Sequence, residues 1–319
     1  MQDKTNNFDT PMTGLDARTW RVRLAELAEE MGSYRPLGER HFATLIGNRK
    51  TLLVTFETVQ GIRSLSPNAQ PFGFDMVRAR GWSHLGLISS GDTWFRDPEV
   101  YAYFDELIDD GFFEEFDRVL FYGAGPCGYA AAAFSVAAPG SRVVVVQPQA
   151  TLDARMTEWD PRFVEMRRTS FTDRYGYAPD MLDAAQEAFV IYDPRQELDA
   201  MHASLFQRPN VTRLRMPHVG AALQTQMIEM EMLYPVLSLA GIGKLTPRGF
   251  ARLFRTRRQN ATYLRNLMGH LDAEDRPYLN MLLCRNVTSR MNAPKFRRRL
   301  DQLEKAAEEG EFRAPPNGL

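Results

Sequence analysis

Two kinds of apolar pattern divide the chain. Ala17, Trp20, Leu24, Leu27 and Met31 recur at spacings of three and four behind Asp16. This predicts a capped amphipathic helix laid on a core, ended by Gly32 and Pro36. Then come short continuous runs at 42–46, 51–56 (TLLVTF) and 84–88 (HLGLI), which predict buried strands. The stretch holding Gly61, Pro67, Pro71 and Gly73 reads as a loop, and 98–108 as a helix extending to about 113.

The stretch 117–149 organises the rest. Apolar Val119 to Tyr122 meets the turn Gly123-Ala124-Gly125-Pro126-Cys127-Gly128, then an alanine-rich helix, then Val143 to Val146. Strand, tight turn, helix and strand make one βαβ crossover, which requires a parallel sheet. Residues 150–180 lack a period and read as an excursion over the sheet. A helix at 184–188, strand 189–192, helix 198–206 and strand 211–216 complete the alternation. The fold class is therefore α/β, a doubly wound and mostly parallel sheet.

From Gly220 onward the pattern is helical. Leu223, Met227, Met230 and Tyr234 form a stripe, and Pro235 bends or ends that helix. Thr246-Pro247 opens a basic helix, and helices at 276–290 and 294–309 follow. Three segments result: a leader at 1–40, disordered over its polar residues 1–14 and then helical; a sheet domain at 41–240; and an all-helical extension at 241–319.

Charge sharpens this division. From Lys244 onward there are 16 Lys and Arg against 8 Asp and Glu, a net of +8; residues 1–243 carry 23 against 32, a net of −9. The basic stretch 244–313 suits docking on the acidic body, self-association or an acidic protein partner. Charge balance alone does not support nucleic acid. Hydrophobic residues at 44% and charged residues at 25% are ordinary for a globular protein. No apolar run reaches the ~18 residues of a membrane span. Cys127 and Cys284 are the only cysteines, which excludes a disulfide framework and a cysteine zinc site and points to a reducing cytoplasm. No histidine stands at metal-ligand spacing from an obvious partner, and no metal is expected.

The turn admits two chemistries. As G-x-G-x-x-G it is similar to the flavin-binding opening of many oxidoreductases, with glycines that let a pyrophosphate approach the helix N-terminus. The acid that should hold the ribose is replaced by Gln147-Pro148-Gln149, and the unit lies mid-chain. The second chemistry rests on several pieces in order. They are a strand ending in Thr55-Phe56, the loop Asp92-Thr93-Trp94-Phe95, the turn with its Gly128-Tyr129-Ala130 tail, Pro148 to Asp153, Tyr192-Asp193-Pro194 and Pro217 to Gly220. Over roughly 51–240 this order resembles a bacterial branch of the α/β-hydrolase superfamily. The resemblance implies a G-x-S-x-G nucleophile elbow, with a base after the last strand and an acid before it. The serine's place falls at Gly125. The following residue, an oxyanion donor in that family, is Pro126, which has no N–H. The base's place falls at Ala221, with His218 three residues earlier. Asp193 or Asp199 stands where the acid is expected.

Cys127, in the first turn of the helix, is the substitute nucleophile the residues offer. The helix dipole is expected to lower its thiol pKa, with His218 as base and Asp193 as acid. The chain as a whole also resembles bacterial proteins labelled phosphoadenosine phosphosulfate reductase, which implies thiol-dependent reduction of a sulfonucleotide. Against that pattern, Ser89-Ser90-Gly91-Asp92-Thr93 is one residue short, and Cys284 is followed by Arg285. The residues favour a diverged hydrolase-fold protein that has lost acyl-hydrolase chemistry and needs no cofactor. It would bind a small anionic or acyl ligand at Gly123, Gly125 and Gly128, with Trp94 and Gln149 as neighbours. A Cys127 hydrolase or acyltransferase, a flavin or NAD oxidoreductase and the sulfonucleotide reductase are the alternatives.

Overall fold

One sheet of eight strands forms the centre of the computed structural model, which describes residues 8–47 and 49–316. The strands are β1 (Gly32–Leu37), β2 (His41–Ile46), β3 (Thr51–Thr58), β4 (Ser83–Ser89), β5 (Arg118–Ala124), β6 (Arg142–Val146), β7 (Glu187–Tyr192) and β8 (Val211–Arg215). Their order is β1-β2-β4-β3-β5-β6-β7-β8. β2 runs antiparallel to β1 and β4, and every other pair is parallel. The expected mostly parallel, doubly wound sheet is present, and its order is α/β-hydrolase-like.

Period-2 alternation sorts the strand side chains between two cores. On β2, Phe42 and Ile46 meet Trp20, Leu24 and Leu27 of α1 (Ala17–Met31), while Ala43 joins the core on the opposite face. Asp16 caps α1 by accepting from the Arg18 and Thr19 amides at 2.9 and 3.1 Å. The Trp20 indole is fully buried and donates to the Ala69 carbonyl at 2.6 Å. The leader helix is therefore part of the sheet's core.

Several elements depart from the sequence reading. The disorder expected over 1–14 lies partly outside the described residues, at 1–7. From residue 8 on it does not hold: Phe8 stacks on Phe74 at 5.0 Å, and the Met12 amide bonds the Asn68 carbonyl at 2.8 Å. Gly32 caps the end of α1, as expected, but Pro36 plays no part in ending it; both belong to β1, because an edge strand tolerates a proline whose N–H is not needed. The stretch holding Gly61, Pro67, Pro71 and Gly73, expected as a loop, contains α2 (Val59–Leu65), capped by the Thr58 hydroxyl, and α3 (Phe72–Arg80). No α-helix occupies 184–188. A single turn at Ala178–Met181 and a 3-10 turn at Leu182–Ala184 lead directly into β7.

Helices α4 (Pro98–Asp109), α5 (Pro126–Phe134) and α6 (Glu197–Leu205) follow the expected places. The helix with the methionine stripe is divided into α7 (Leu223–Glu229) and α8 (Leu233–Gly241). The break falls at Met230–Met232, where Glu231 has a left-handed φ of 54°. Pro235 sits in the first turn of α8, where its missing N–H leaves no bond unmade. Helix α9 (Pro247–Leu253) is capped by Thr246.

The described residues up to Pro217, with Ala221–Phe254, form one compact unit. His218–Gly220 and the stretch from Arg255 onward form a second. The second unit contains α10 (Ala261–Ala273), α11 (Pro277–Thr288) and α12 (Pro294–Glu308). Its interior holds Met281, Cys284, Val287, Phe296, Leu300 and Leu303. Part of its basic charge is neutralised internally, since Arg299 pairs with Asp272 at 2.5 Å and Arg285 with Glu304 at 3.8 Å. Among the described residues no helix is long and apolar enough to cross a membrane.

Replacing Trp20 with alanine removes its ring from the first core and leaves the Ala69 carbonyl without that donor. The expected loss is about 3–5 kcal/mol of unfolding free energy. Urea denaturation of Trp20→Ala measures it, and a loss below about 1 kcal/mol would show that α1 is an appendage to the core.

Candidate functional site

The sheet order locates a crevice before any side chain is considered. The chain leaves β3 for β4 on one side and returns across β3 to β5 on the other. Diverging crossovers open a gap at the C-terminal ends of such strands, where ligands bind in open α/β sheets. A cavity of about 290 Å³ occupies this place. Its wall is formed by the end of β3, helices α2 and α3, Asp92 after β4, the β5–α5 turn, and Gln224, Ile228 and Tyr234.

The β5–α5 turn has the backbone of an elbow. Gly125 caps α5 with φ 56° and ψ −125°, a combination that side-chain-bearing residues adopt only under strain. A Cβ built on Gly125 meets nothing within 4 Å. On Gly123 it would stand 2.1 Å from the Cys127 carbonyl oxygen, so that position excludes any side chain. On Gly128 it would meet the Gly123 and Val146 carbonyl oxygens at 3.2 and 3.3 Å. Two of the three glycines expected to hold a ligand thus serve close packing of the turn. Gly125 alone has open space beside it.

Cys127 lines the cavity, but its thiol pKa is not lowered. Burial pushes it up, and the carboxylates of Glu57 and Asp92 push it further. The helix dipole expected to activate it is outweighed by desolvation and like charge. Asp193 is fully buried after β7 and accepts the Arg195 amide at 2.9 Å. His218 belongs to the helical unit, with its ring 4.6 Å from that of His270. Trp94 and Gln149 meet each other instead of the cavity: the indole donates to the Gln149 carboxamide oxygen at 3.2 Å, and both are buried. Gln147, where a ribose-binding acid would stand, donates to Asp199 at 2.7 Å and accepts the Leu223 amide at 3.0 Å. Cys284 is buried in α11 with its thiol pushed up to about 11 by burial.

The sequence reading passed over Glu57, the cavity's dominant charged group. It sits one residue past the apolar run of β3, on the same face as Thr55. The Thr55 hydroxyl donates to Glu57 Oε1 at 2.8 Å, and the Phe72 amide, at the start of α3, donates to Oε2 at 3.0 Å. His84 of β4 reaches Thr55 through Nε2 at 2.8 Å. Because Thr55 donates its only proton to Glu57, it accepts from His84, which fixes the imidazole proton on Nε2. His84 Nδ1 is buried without a hydrogen-bond partner among the described residues. Burial lowers the His84 pKa to about 3, so the ring is neutral. Gly73 makes room for it, since a Cβ there would lie 2.0 Å from the ring.

Partial withdrawal from water, for Glu57 is half-buried and faces the cavity, pushes its carboxyl up to about 7, against the opposing pull of the Phe72 amide and Thr55 hydroxyl. Nearby, the Tyr234 hydroxyl donates to Asp75, which also pairs with Arg78. Gln224 Nε2 donates to the Tyr122 hydroxyl at 2.9 Å. Among the described residues no Lys, Arg or His lines the cavity. The anionic ligand expected from the glycine-rich turn therefore has no cation to meet there, and three carboxylates oppose it.

The strand order, the elbow between β5 and α5 and the flanking helices define an α/β-hydrolase-like fold. No protein-family model matches the chain, and no curated protein matches it. Among solved structures, a hyperthermophilic esterase from the archaeon Pyrobaculum calidifontis is similar at 15% identity and TM-score 0.38, over 76% of this chain and 92% of that one. Carboxyl esterase 2 from the mycorrhizal fungus Tuber melanosporum is similar at 14% identity and TM-score 0.43, over 66% and 83%. The capsule O-acetyltransferase of Neisseria meningitidis serogroup A is similar at 9% identity and TM-score 0.42, over 62% and 91%. At these identities and scores the likeness carries no activity across.

The turn's geometry separates two glycines that look equivalent in sequence. Gly123→Ala is expected to lose more than about 3 kcal/mol, because backbone must move to relieve the clash. Gly125→Ala is expected to lose about 1–2 kcal/mol of conformational strain alone. Denaturant unfolding of both variants checks this, and the reverse ranking would contradict the elbow geometry.

Proposed function

We propose that this chain is a diverged α/β-hydrolase-fold protein that binds a small molecule in the cavity between β3 and β5 and forms no acyl-enzyme. The observation that carries this reading is the pairing of an intact elbow backbone with a residue that has no side chain, Gly125, at the nucleophile's place. Pro126 supplies no N–H for an oxyanion. The cavity beside it is nonetheless formed, with apolar and aromatic surface from Ile62, Leu65, Phe72 and Ile228 beside the carboxylates of Glu57, Asp75 and Asp92.

A second reading, a Cys127 hydrolase or acyltransferase, is favoured by the place of Cys127 in the cavity wall. It ranks lower because the attacking species is the thiolate, which the raised pKa suppresses. Hydrolysis of p-nitrophenyl acetate separates the two. Wild type and Cys127→Ala are expected to agree within about twofold, and a chloroacetamide probe to leave Cys127 unlabelled in the folded protein. A tenfold or greater loss of turnover in Cys127→Ala, with labelling of Cys127 in wild type, would establish the cysteine enzyme instead.

A further inference from the structure

The cavity's chemistry narrows its occupant. We infer that it is a site for a small organic cation, an amine on a compact apolar body, with Glu57 as the counter-ion. This rests on the small-molecule reading above.

Three features of the wall converge on that class. Ile62, Leu65 and Ile228 offer aliphatic surface, and Phe72 and Tyr234, with ring centroids 4.6 Å apart, offer aromatic surface. Aromatic faces attract a cation through the ring quadrupole. At about 290 Å³ the cavity lies at the small end of ligand sites, which limits the body to about one ring. Glu57 is held in a fixed orientation from behind by Thr55, Phe72 and, through Thr55, His84.

The groups around Glu57 leave its charge uncompensated. On β4, His84 is neutral, so it contributes a hydrogen bond but no charge. On α3, Asp75 faces Glu57, and the nearby Arg78 is engaged by Asp75, the Gln70 side chain and the Phe8 carbonyl. After β4, Asp92 adds a second negative charge to the wall. The Cys127 thiol on α5 and the Tyr122 and Tyr234 hydroxyls on β5 and α8 are held protonated, with Glu57 among the causes in each case. A carboxylate removed from water without a cation is costly, and a bound ammonium would offset that cost. A metal ion is not the match, because among the described residues no three His, Cys, Asp or Glu group as ligands.

Calorimetric titration with three probes of one shape tests the inference: benzylamine, benzyl alcohol and benzoate. At pH 8 the wild type is expected to bind benzylamine at least tenfold more tightly than benzyl alcohol, with no measurable benzoate binding. Glu57 must be ionised to pair with the amine, so benzylamine affinity should fall about tenfold between pH 8 and pH 6, while benzyl alcohol stays level. Glu57→Gln keeps an oxygen for the Phe72 amide and is expected to remove both the amine preference and the pH dependence. Ile228→Trp, which puts a large side chain into the cavity from another lining residue, is expected to abolish binding of benzylamine and benzyl alcohol alike. Equal binding of amine and alcohol, unchanged in Glu57→Gln, would overturn the counter-ion role and leave the small-molecule reading standing. No binding of any probe at millimolar concentration would overturn both.

Discussion

The close approach of strand to helix at the β5–α5 turn is the constraint on which the rest of the structure depends. Gly123 lies against the Cys127 carbonyl, and Gly125 reverses the chain with a left-handed φ. Helix α5 is thereby drawn against the sheet so tightly that Tyr129 through Phe134 have no exposed surface. Only alanines fit most of that length, which explains the composition of the segment. On one face of the sheet, α5 forms the centre around which Phe56, Phe104 and Tyr175 pack against Phe134. The same turn forms one wall of the cavity, so the element that organises the core also shapes the site.

That arrangement separates a scaffold from its chemistry. An elbow normally presents a nucleophile at the one position where strain is tolerated. Here glycine takes up the strain at that position. The neighbouring strand β3 contributes Glu57 to the crevice. A chain of hydrogen bonds, His84 to Thr55 to Glu57, crosses from β4 to the end of β3 and ends in a carboxyl facing the cavity. Desolvation raises its pKa, and burial together with the Glu57 and Asp92 carboxylates raises that of the Cys127 thiol. Burial is thus the largest cause of both shifts.

The parts of this design carried by local pattern were legible in the sequence. The β5–α5–β6 unit stood out because two apolar, β-branched runs flank a glycine-rich turn, and α1 because Asp16 precedes a regular apolar stripe. β1, α2 and α3 were hidden by Gly32, Pro36, Gly61 and Pro71, residues that break regular structure unless an edge or a cap accommodates them. Glu57 was missed because its meaning is not local. Its partner Phe72 lies 15 residues away, and His84 lies 29 residues from Thr55. The one available signal was an acid directly after a buried strand, and the apolar run was read as ending at Phe56. The state of Cys127 was misjudged for a related reason: the helix start is visible in sequence, whereas the surrounding carboxylates are not.

The most direct measurement is the ionisation of Glu57 itself. Carboxyl-13C-glutamate labelling, with the Glu57 resonance assigned by its loss in Glu57→Gln, reports that titration in the intact protein. A midpoint near 7 is expected from a half-buried carboxyl in a cavity lined by no Lys, Arg or His among the described residues. A midpoint near the ordinary 4.5 would mean that water or a counter-charge reaches it, and would contradict the account of the site.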